Sequence, residues 1–442
     1  MNGGHVGKIL RLDLTNRKSD TIPTQKYEQW IGGFGMGLAL FYDEVDKKYI
    51  TDTKDKTGFE PQNVICLMSG PLQGTLAPNG GRTEVVGLAP EAYPRPQICR
   101  SNFGGKFSAM MKFAGYDGIV IKGAADKPVW VNIINQKVVF EDAGKLWGLD
   151  TYKTQEEIWR EVSSKAYQEW LPTGTGRDSG STTQRPAVVT MGQIGERKGR
   201  LASLVHEEGH AAGQGGFGGV FGSKSLKAVS VLGTGSVPIA DPKELIAARL
   251  WYKSHSTNAM PGSTFGNWGT EHFGRALNCY GCDRGCYANF DTGSEVLGAG
   301  SMCVDEYFNQ QEDMDRNNGK ITDATLVANT MMQRYGINAY ELATGMSLKS
   351  SPHSKEVRGG VSWLHSLYRR GIIGKGKKIE TDLDFDKVGT KEFAVELLRR
   401  IAYREEIGDD LAEGIVRAAA KWGVLESDLM SGLLPMIYAV GE

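Results

Sequence analysis

The sequence predicts an α+β protein: a β-rich part over residues 1–235, then an α-helical part over 236–442. Three observations carry this. Before residue 235 short apolar runs and period-two alternation dominate, as in strands. After 235 apolar residues recur at three- and four-residue spacing, as on one face of a helix. Strands and helices are segregated instead of alternating as βαβ units, and no internal repeat is legible. A chain of 442 residues also exceeds what one core can fill, so more than one domain is expected.

The first strand is predicted over residues 8–14, where Leu10, Leu12 and Leu14 alternate. A helix is predicted over 25–44. Residues 63–68 and 117–122 are apolar runs bounded by glycine or polar residues, as buried strands are. Residues 128–134 and 137–140 flank Asn135-Gln136 and read as a hairpin. A helix over 154–166 and a polar surface loop over 173–185 follow, then strands at 186–191 and 228–232. Asp241-Pro242 supplies an N-cap and a first-turn proline, opening a helix to about residue 254. Residues 325–335 form a helix stopped by Gly336. Amphipathic helices are expected over 361–371, 391–404 and 409–422.

Composition narrows the function. The net charge of −1 gives no basic face for nucleic acid. No window approaches 18 uninterrupted apolar residues, so no membrane span is expected. The stretch MNGGHVGKILRLDL lacks the basic-then-apolar pattern of a signal peptide. Cys66 and Cys99 are isolated and read as buried small hydrophobes. Cysteine usage fits a reducing, cytoplasmic compartment better than a disulfide framework.

Half of the six cysteines fall in one eight-residue window, Cys279-Tyr-Gly-Cys282-Asp-Arg-Gly-Cys286. The spacing C-x2-C-x3-C lets successive thiolates converge on one inorganic core, as iron–sulfur clusters require. A zinc site would need a second pair of ligands to close it, and none lies nearby. Three free thiols are the plain alternative. A [4Fe–4S] cluster needs a fourth ligand that this window does not supply; Cys303 is the last cysteine in the sequence.

Of the 58 glycines, 13 fall into four clusters expected at strand exits: 32–37, 79–82, 102–106 and 213–219. Glycine turns let backbone N–H groups approach an anion closely. Any one cluster is most simply a turn. Four of them, with Arg82 and Asn102 placed for polar recognition, point to one large anionic cofactor. A dinucleotide fold is disfavoured, since the first cluster opens a helix with no strand directly before it.

These residues resemble the tungsten-containing aldehyde:ferredoxin oxidoreductase family. The resemblance is carried by Gly104-Gly105-Lys106-Phe107 through Asp117, Leu76-Ala77-Pro78-Asn79-Gly80-Gly81-Arg82, and Gly209-His210-Ala211-Ala212-Gly213-Gln214-Gly215-Gly216. Gly222-Ser223-Lys224-Ser225-Leu226-Lys227-Ala228 and Ile401-Ala402-Tyr403-Arg404 through Leu411-Ala412-Glu413-Gly414 add to it. It runs from residue 5 to about 425.

The resemblance implies a β-rich saddle under a tungsten (or molybdenum) bis-pyranopterin, with helical domains closing over it and a [4Fe–4S] cluster beside one pterin. Arg82 would lie between pterin and cluster. Asn102, Gly104, Gly105, Gly213, Gly215 and Gly216 would line the pterin phosphates and a bridging magnesium, and Asn338 the helical-domain pterin motif. Cys279, Cys282 and Cys286 would be cluster ligands. Cys303, where the class II benzoyl-CoA reductase branch has a metal-ligating cysteine, would ligate the metal or stay buried. In the latter case Asp305 or Glu306 would take the acidic place of the aldehyde enzymes. His272 and Glu271 are proton-transfer candidates on chemistry alone.

Three departures stand out. Gln214 replaces an arginine of the family's second glycine run. Gly336-Ile337-Asn338 replaces Gly-Leu-Asp, exchanging an acceptor-only side chain for one with a donor. The family also extends past the equivalent of residue 442, in a part carrying a second pterin motif and the fourth cluster cysteine. Either the sequence is a fragment, or a second chain completes the site. The segment between Thr270 and Cys279 is shorter than usual, which reshapes the substrate entrance. The expected function is low-potential oxidation of an aldehyde or ring reduction of an aromatic acyl-CoA. Electrons would pass to ferredoxin or iron–sulfur partner subunits, within an oligomer or multi-subunit complex. A non-catalytic electron-transfer or scaffold subunit is the alternative.

Overall fold

The computed structural model describes residues 3–166, 171–172, 179–180, 185–256, 273–282, 287–290, 299–301, 308–342 and 360–431. Strands β1 (Lys8–Asp13), β2 (Lys18–Pro23), β3 (Ile65–Met68), β4 (Thr83–Ala89), β5 (Gln97–Phe103) and β6 (Gly118–Lys122) form one six-stranded sheet. Its order is β2-β1-β6-β3-β4-β5. Next come β7 (Val129–Ile134), β8 (Lys137–Asp142), a short ladder of β9 (Leu171–Pro172) with β10 (Ser179–Gly180), β11 (Ala187–Thr190), β12 (Leu204–His206), β13 (His210–Ala212) and β14 (Leu226–Leu232). The second six-stranded sheet has the order β13-β12-β11-β14-β7-β8.

The two sheets share one plan, which corrects the reading that the sequence holds no repeat. Each begins with a hairpin, β1–β2 or β7–β8. A three-stranded meander follows, β3–β4–β5 or β11–β12–β13. The last strand then inserts between hairpin and meander, parallel to the hairpin's first strand and antiparallel to the meander's. A seven-residue helix leads into that last strand in both copies, Phe107–Phe113 and Phe217–Ser223. Backbone features recur 110 positions apart: Gly105 (φ 85°) with Gly215 (φ 90°), and Gly115 (φ 97°) with Ser225 (φ 55°). What repeats is left-handed turn geometry and the phase of one phenylalanine, with little residue identity, so period-finding by residue type misses it.

Other elements depart from expectation for local reasons. The helix read over 25–44 is a 3-10 turn, Thr24–Trp30, and an α-helix, Gly33–Glu44, broken where Ile31 takes φ 64°. The 32–37 glycines therefore start a helix, and the 79–82 cluster leads into β4; only the 102–106 and 213–219 clusters leave strands. Strand β2 (KSDTIP) is polar because it is an exposed sheet edge. The segment 409–422 is two helices, Ile407–Ala412 and Ile415–Lys421, split at Gly414 (φ 101°). The punctuation read after 235 holds: Asp241 accepts from the N–H of Lys243 and Glu244 and opens Pro242–His255, while Gly336 (φ 71°) closes Asp323–Tyr335.

Leu10, Leu12, Val85 and Ile119 of the first sheet share one buried core with Val131, Val189 and Val229 of the second. Helix Gly33–Glu44 covers the first sheet's other face through Leu40 and Phe41. The helical part has its own core, around Trp363, Leu397, Leu398 and Ile401. Ile194, Leu201 and Ala202, from the loop between β11 and β12, are built into it. That seam is also hydrogen-bonded: Ser203 N–H donates to Gly336 O at 2.8 Å and Asn338 N–H to Leu201 O at 2.7 Å. The second glycine turn thus lies where the helical part meets the second sheet. Among the described residues no helix is long and apolar enough to cross a membrane.

Candidate metal and cofactor site

The β4–β5 ladder brings Arg82 and Asn102 together. Thr83 pairs with Phe103 and Glu84 with Asn102, so Arg82, one residue before β4, reaches the end of β5. Its Nη1 donates to Asn102 Oδ1 at 2.6 Å, fixing an exposed guanidinium beside the glycine turn. The Cys279–Cys282 segment lies directly on that turn. Cys279 Sγ accepts from Gly105 N–H at 3.3 Å, and Tyr280 N–H donates to Gly105 O at 2.9 Å. Cys282 N–H closes a tight turn onto Cys279 O at 3.0 Å, and Cys282 Sγ lies 3.4 Å from Asn79 Oδ1. Arg249, from helix Pro242–His255, ties the segment down from outside by donating to Gly281 O at 2.8 Å and Leu76 O at 2.6 Å.

The glycines here are required by space. A Cβ on Gly81 would stand 2.3 Å from Cys279 Cβ, and one on Gly104 would stand 2.7 Å from Cys279 Sγ. A Cβ on Gly105, itself at φ 85°, would come 2.4 Å from His206 Cδ2.

A histidine-rich hairpin supports this turn from beneath, and the sequence reading did not find it. His206 of β12 lies opposite His210 of β13. His206 Nδ1 meets Val188 O at 2.7 Å, while its Nε2 accepts from Lys106 N–H at 3.2 Å. One nitrogen donating and the other accepting defines a neutral imidazole, and burial pushes its pKa down accordingly. Burial, then the neighbouring His206, lowers His210 to about 3. Glu207 lies 3.1 Å from Lys106 Nζ. Burial works to raise its carboxyl, but His206, Lys106 and His210 outweigh that and hold it below the usual carboxylate range. A cavity of about 190 Å³ bounded by Lys106, Glu207, His210 and Asn278 joins a groove of about 490 Å³ through shared walls at Trp159 and Arg185.

The second glycine turn is organised by a carboxylate that the sequence reading also missed. Glu91, in the loop after β4, is buried; Gly215 N–H donates to its Oε2 and Asn338 Nδ2 to its Oε1 at 2.6 Å. Asn338 Oδ1 accepts from the N–H groups of Tyr340 (3.0 Å) and Glu341 (3.4 Å), starting helix Ala339–Leu342. Both ends of the Asn338 amide are thus engaged by the protein. Glu341 is also buried and accepts from Ile415 N–H at 3.2 Å. Burial, joined at Glu91 by repulsion from Glu341, holds both carboxyls above the usual carboxylate range. Arg417 closes the cluster, donating to Glu91 O at 2.8 Å. Its pKa is lowered to about 10 by burial and by Arg200. Gly213 faces the same cluster, since a Cβ there would stand 2.9 Å from Asn338 Oδ1.

The structure therefore brings Arg82, Asn102, Gly104, Gly105, Cys279 and Cys282 together at one turn, and Gly213, Gly215 and Asn338 at the other. Cys286, Cys303, Asp305, Glu306, Glu271 and His272 lie outside the described residues. Cys66 and Cys99 are buried as expected, and burial raises both thiols, Cys99 to about 12. The first turn fits a large anionic metallocofactor. It offers a fixed cation and two thiols, of which one already accepts an amide N–H, on glycines that let Cys279 seat closely on the turn.

Comparison with known proteins places the chain in a family. Residues 9–233 match the aldehyde ferredoxin oxidoreductase N-terminal domain, and residues 222–432 match domains 2 and 3 of the same family. The tungsten-containing aldehyde ferredoxin oxidoreductase of Pyrococcus horikoshii is 29% identical over 96% of this chain and 68% of its own length. The WOR-like subunit of an aliphatic sulfonate oxidoreductase of Pyrococcus furiosus is 29% identical over 94% of this chain and 67% of its own. A solved chain of the active-site complex BamBC of benzoyl coenzyme A reductase, in complex with 1,5-dienoyl-CoA, superposes with a TM-score of 0.74. That match has 23% identity and covers 96% of this chain and 64% of the solved one. With both domain families matched and the glycine and cysteine turns assembled as described, the chain belongs to the aldehyde ferredoxin oxidoreductase family of oxidoreductases.

Proposed function

We propose that this chain holds a tungsten (or molybdenum) bis-pyranopterin against its two glycine turns, 102–106 and 213–216, and a [4Fe–4S] cluster at Cys279, Cys282 and Cys286. Its reading as a low-potential oxidoreductase follows. The single observation that carries it is the seating of the Cys279–Cys282 segment on Gly81, Gly104 and Gly105 beside Arg82. When bound, the metallopterin supplies the two-electron chemistry and the cluster single-electron transfer. The chain's residues supply the rest. Arg82, held by Asn102, presents a fixed fork to an anion between the cofactors. Gly105 N–H stabilises the Cys279 sulfur as a thiolate. Asn102 and Gly104 would lie beside the pterin phosphates and an associated magnesium. The neutral His206 and His210 hold the turn without adding charge beneath it.

The substrate is an aldehyde, oxidised to a carboxylate, or an aromatic acyl-CoA whose ring is reduced. Cys303 decides between them. A thiolate on the metal removes the open position that aldehyde oxidation needs and favours the acyl-CoA. A buried Cys303 leaves Glu306, with His272, as the acid–base candidates. The fourth cluster ligand comes from outside the Cys279–Cys286 window. Electrons leave to ferredoxin or an iron–sulfur subunit. Helix Pro242–His255 suits such docking: it is tied to the cysteine turn by Arg249, and it exposes Leu250 (62%) and Trp251 (63%) among Lys243 and Lys253. We place the enzyme in the cytoplasm.

The test is a paired dye-linked assay on metal-replete protein. Aldehydes with an oxidised viologen, and benzoyl-CoA with a reduced one, should give turnover in one arm. Pterin-loaded protein inactive in both arms, with cluster iron intact, would favour the electron-transfer or scaffold subunit instead.

A further inference from the structure

We propose that Glu91 is a positioning residue for the cofactor: its buried carboxylate locks the second glycine turn against the helical part in the conformation the metallopterin needs. This rests on the cofactor reading above. The argument is one of donor and acceptor matching. Glu91 is met by two N–H donors from different parts of the chain, Gly215 N–H of the turn and Asn338 Nδ2 of the helical part. Asn338 cannot reverse its amide to compensate, because its Oδ1 already accepts from Tyr340 and Glu341 N–H. The amide's orientation is fixed by the helix it caps, so the partner at position 91 must present acceptors on both sides. Only a carboxylate does that.

Gly215 has φ 90° and Gly216 φ 70°, so the turn between β13 and helix Phe217–Ser223 is a left-handed bend that lacks any side-chain anchor of its own. Glu91 supplies that anchor from 124 residues away. Arg417 holds its backbone, donating to the carbonyls of Glu91 and Ala92. The remaining charged groups facing the carboxylate are Glu341 and, behind Arg417, Arg200 and Glu413. Losing the carboxylate therefore frees the turn and one edge of the helical part together.

The same logic gives a test with a built-in rescue. In Glu91→Gln one oxygen becomes an NH2, so a donor faces a donor, Gly215 N–H or Asn338 Nδ2. In Asn338→Asp two carboxylates face each other. In the double variant the pattern closes again. The introduced glutamine accepts from Gly215 N–H through its oxygen and donates through its NH2 to the introduced aspartate. The other oxygen of that aspartate accepts from Tyr340 and Glu341 N–H. The readouts are pterin per chain, measured as fluorescent oxidised pterin after purification, and the thermal midpoint of metal-free protein by circular dichroism.

Each single variant should lose at least fivefold in pterin content, and the double should recover to within twofold of wild type. Midpoints should follow the same order. A purely structural bridge would lower the midpoints but leave pterin content unchanged in protein purified well below them, and that result would overturn the proposal. A double variant no better than the singles would overturn it too. Wild-type protein without pterin would instead sink the cofactor reading, a different and separable failure.

Discussion

Gly104→Ala is the sharpest perturbation of the first turn. The added methyl would stand 2.6 Å from His210 Nδ1 and 2.7 Å from Cys279 Sγ. Ordinary contact distances are about 3.5–4.0 Å, so the methyl overlaps both neighbours by about an ångström. His210 cannot yield, since it is buried and held in the ladder opposite His206. Cys279, half-buried at the end of a loop segment, must move. Its movement breaks the Gly105 N–H···Sγ bond. Overpacking of this kind costs about 1–3 kcal/mol, and losing one hydrogen bond costs about 1 kcal/mol more. For a unit of this size each kcal/mol lowers the thermal midpoint by about 2–4 °C, so the fall should be about 4–16 °C. The assay is circular dichroism melting together with iron per chain. Iron should drop several-fold, because the displaced cysteine can no longer align with Cys282. Wild-type iron and an unchanged midpoint in Gly104→Ala would refute the idea that the glycine turn seats the cluster loop.

Three further outcomes follow from the geometry. Arg82→Ala should lower pterin retention several-fold with little change in the thermal midpoint, because Arg82 is exposed and anchored by one bond to Asn102; unchanged pterin content and cluster reduction would count against it. Leu250→Asp should slow reduction of the cluster by reduced ferredoxin at least tenfold, yet leave its reduction by methyl viologen radical untouched in stopped-flow; equal rates with ferredoxin would exclude that helix as the docking face. Glu341 predicts a pH signature. Its carboxyl titrates above the usual range in the folded chain, so the unfolded chain releases this proton first. Its contribution to stability is therefore present in acid, falls as pH rises from about 4.5 to about 7, and then levels off. Glu341→Gln should flatten that fall in melts between pH 5 and pH 8, and parallel curves would contradict it.

Part of the candidate site was legible because it is local in sequence. The cysteine spacing and the glycine turns declare themselves within short windows, whereas the Arg82–Asn102 contact forms only when β4 pairs with β5. The helical caps at Asp241 and Gly336 were legible for the same reason. What escaped was long-range or geometric. Glu91 stands alone in Pro90-Glu91-Ala92, and nothing nearby announces that Gly215 and Asn338 will close on it. His206 and Glu207 gain their place only when the β12–β13 hairpin folds beneath Lys106. The duplicated sheet is written in φ angles more than in residue types. A search for the pattern Gly-x-Phe at a fixed 110-residue offset, Gly105 to Phe107 and Gly215 to Phe217, is the signal that would have found it.

The chain's chemistry depends on its carrying both inorganic centres. Elemental analysis of the anaerobically purified chain, with pterin measured on the same sample, tests that directly. The prediction is tungsten or molybdenum near one per chain, two pterins per metal, and about four irons that fall away in Cys282→Ala. Iron without tungsten, molybdenum or pterin, in protein expressed where all are supplied, would contradict it.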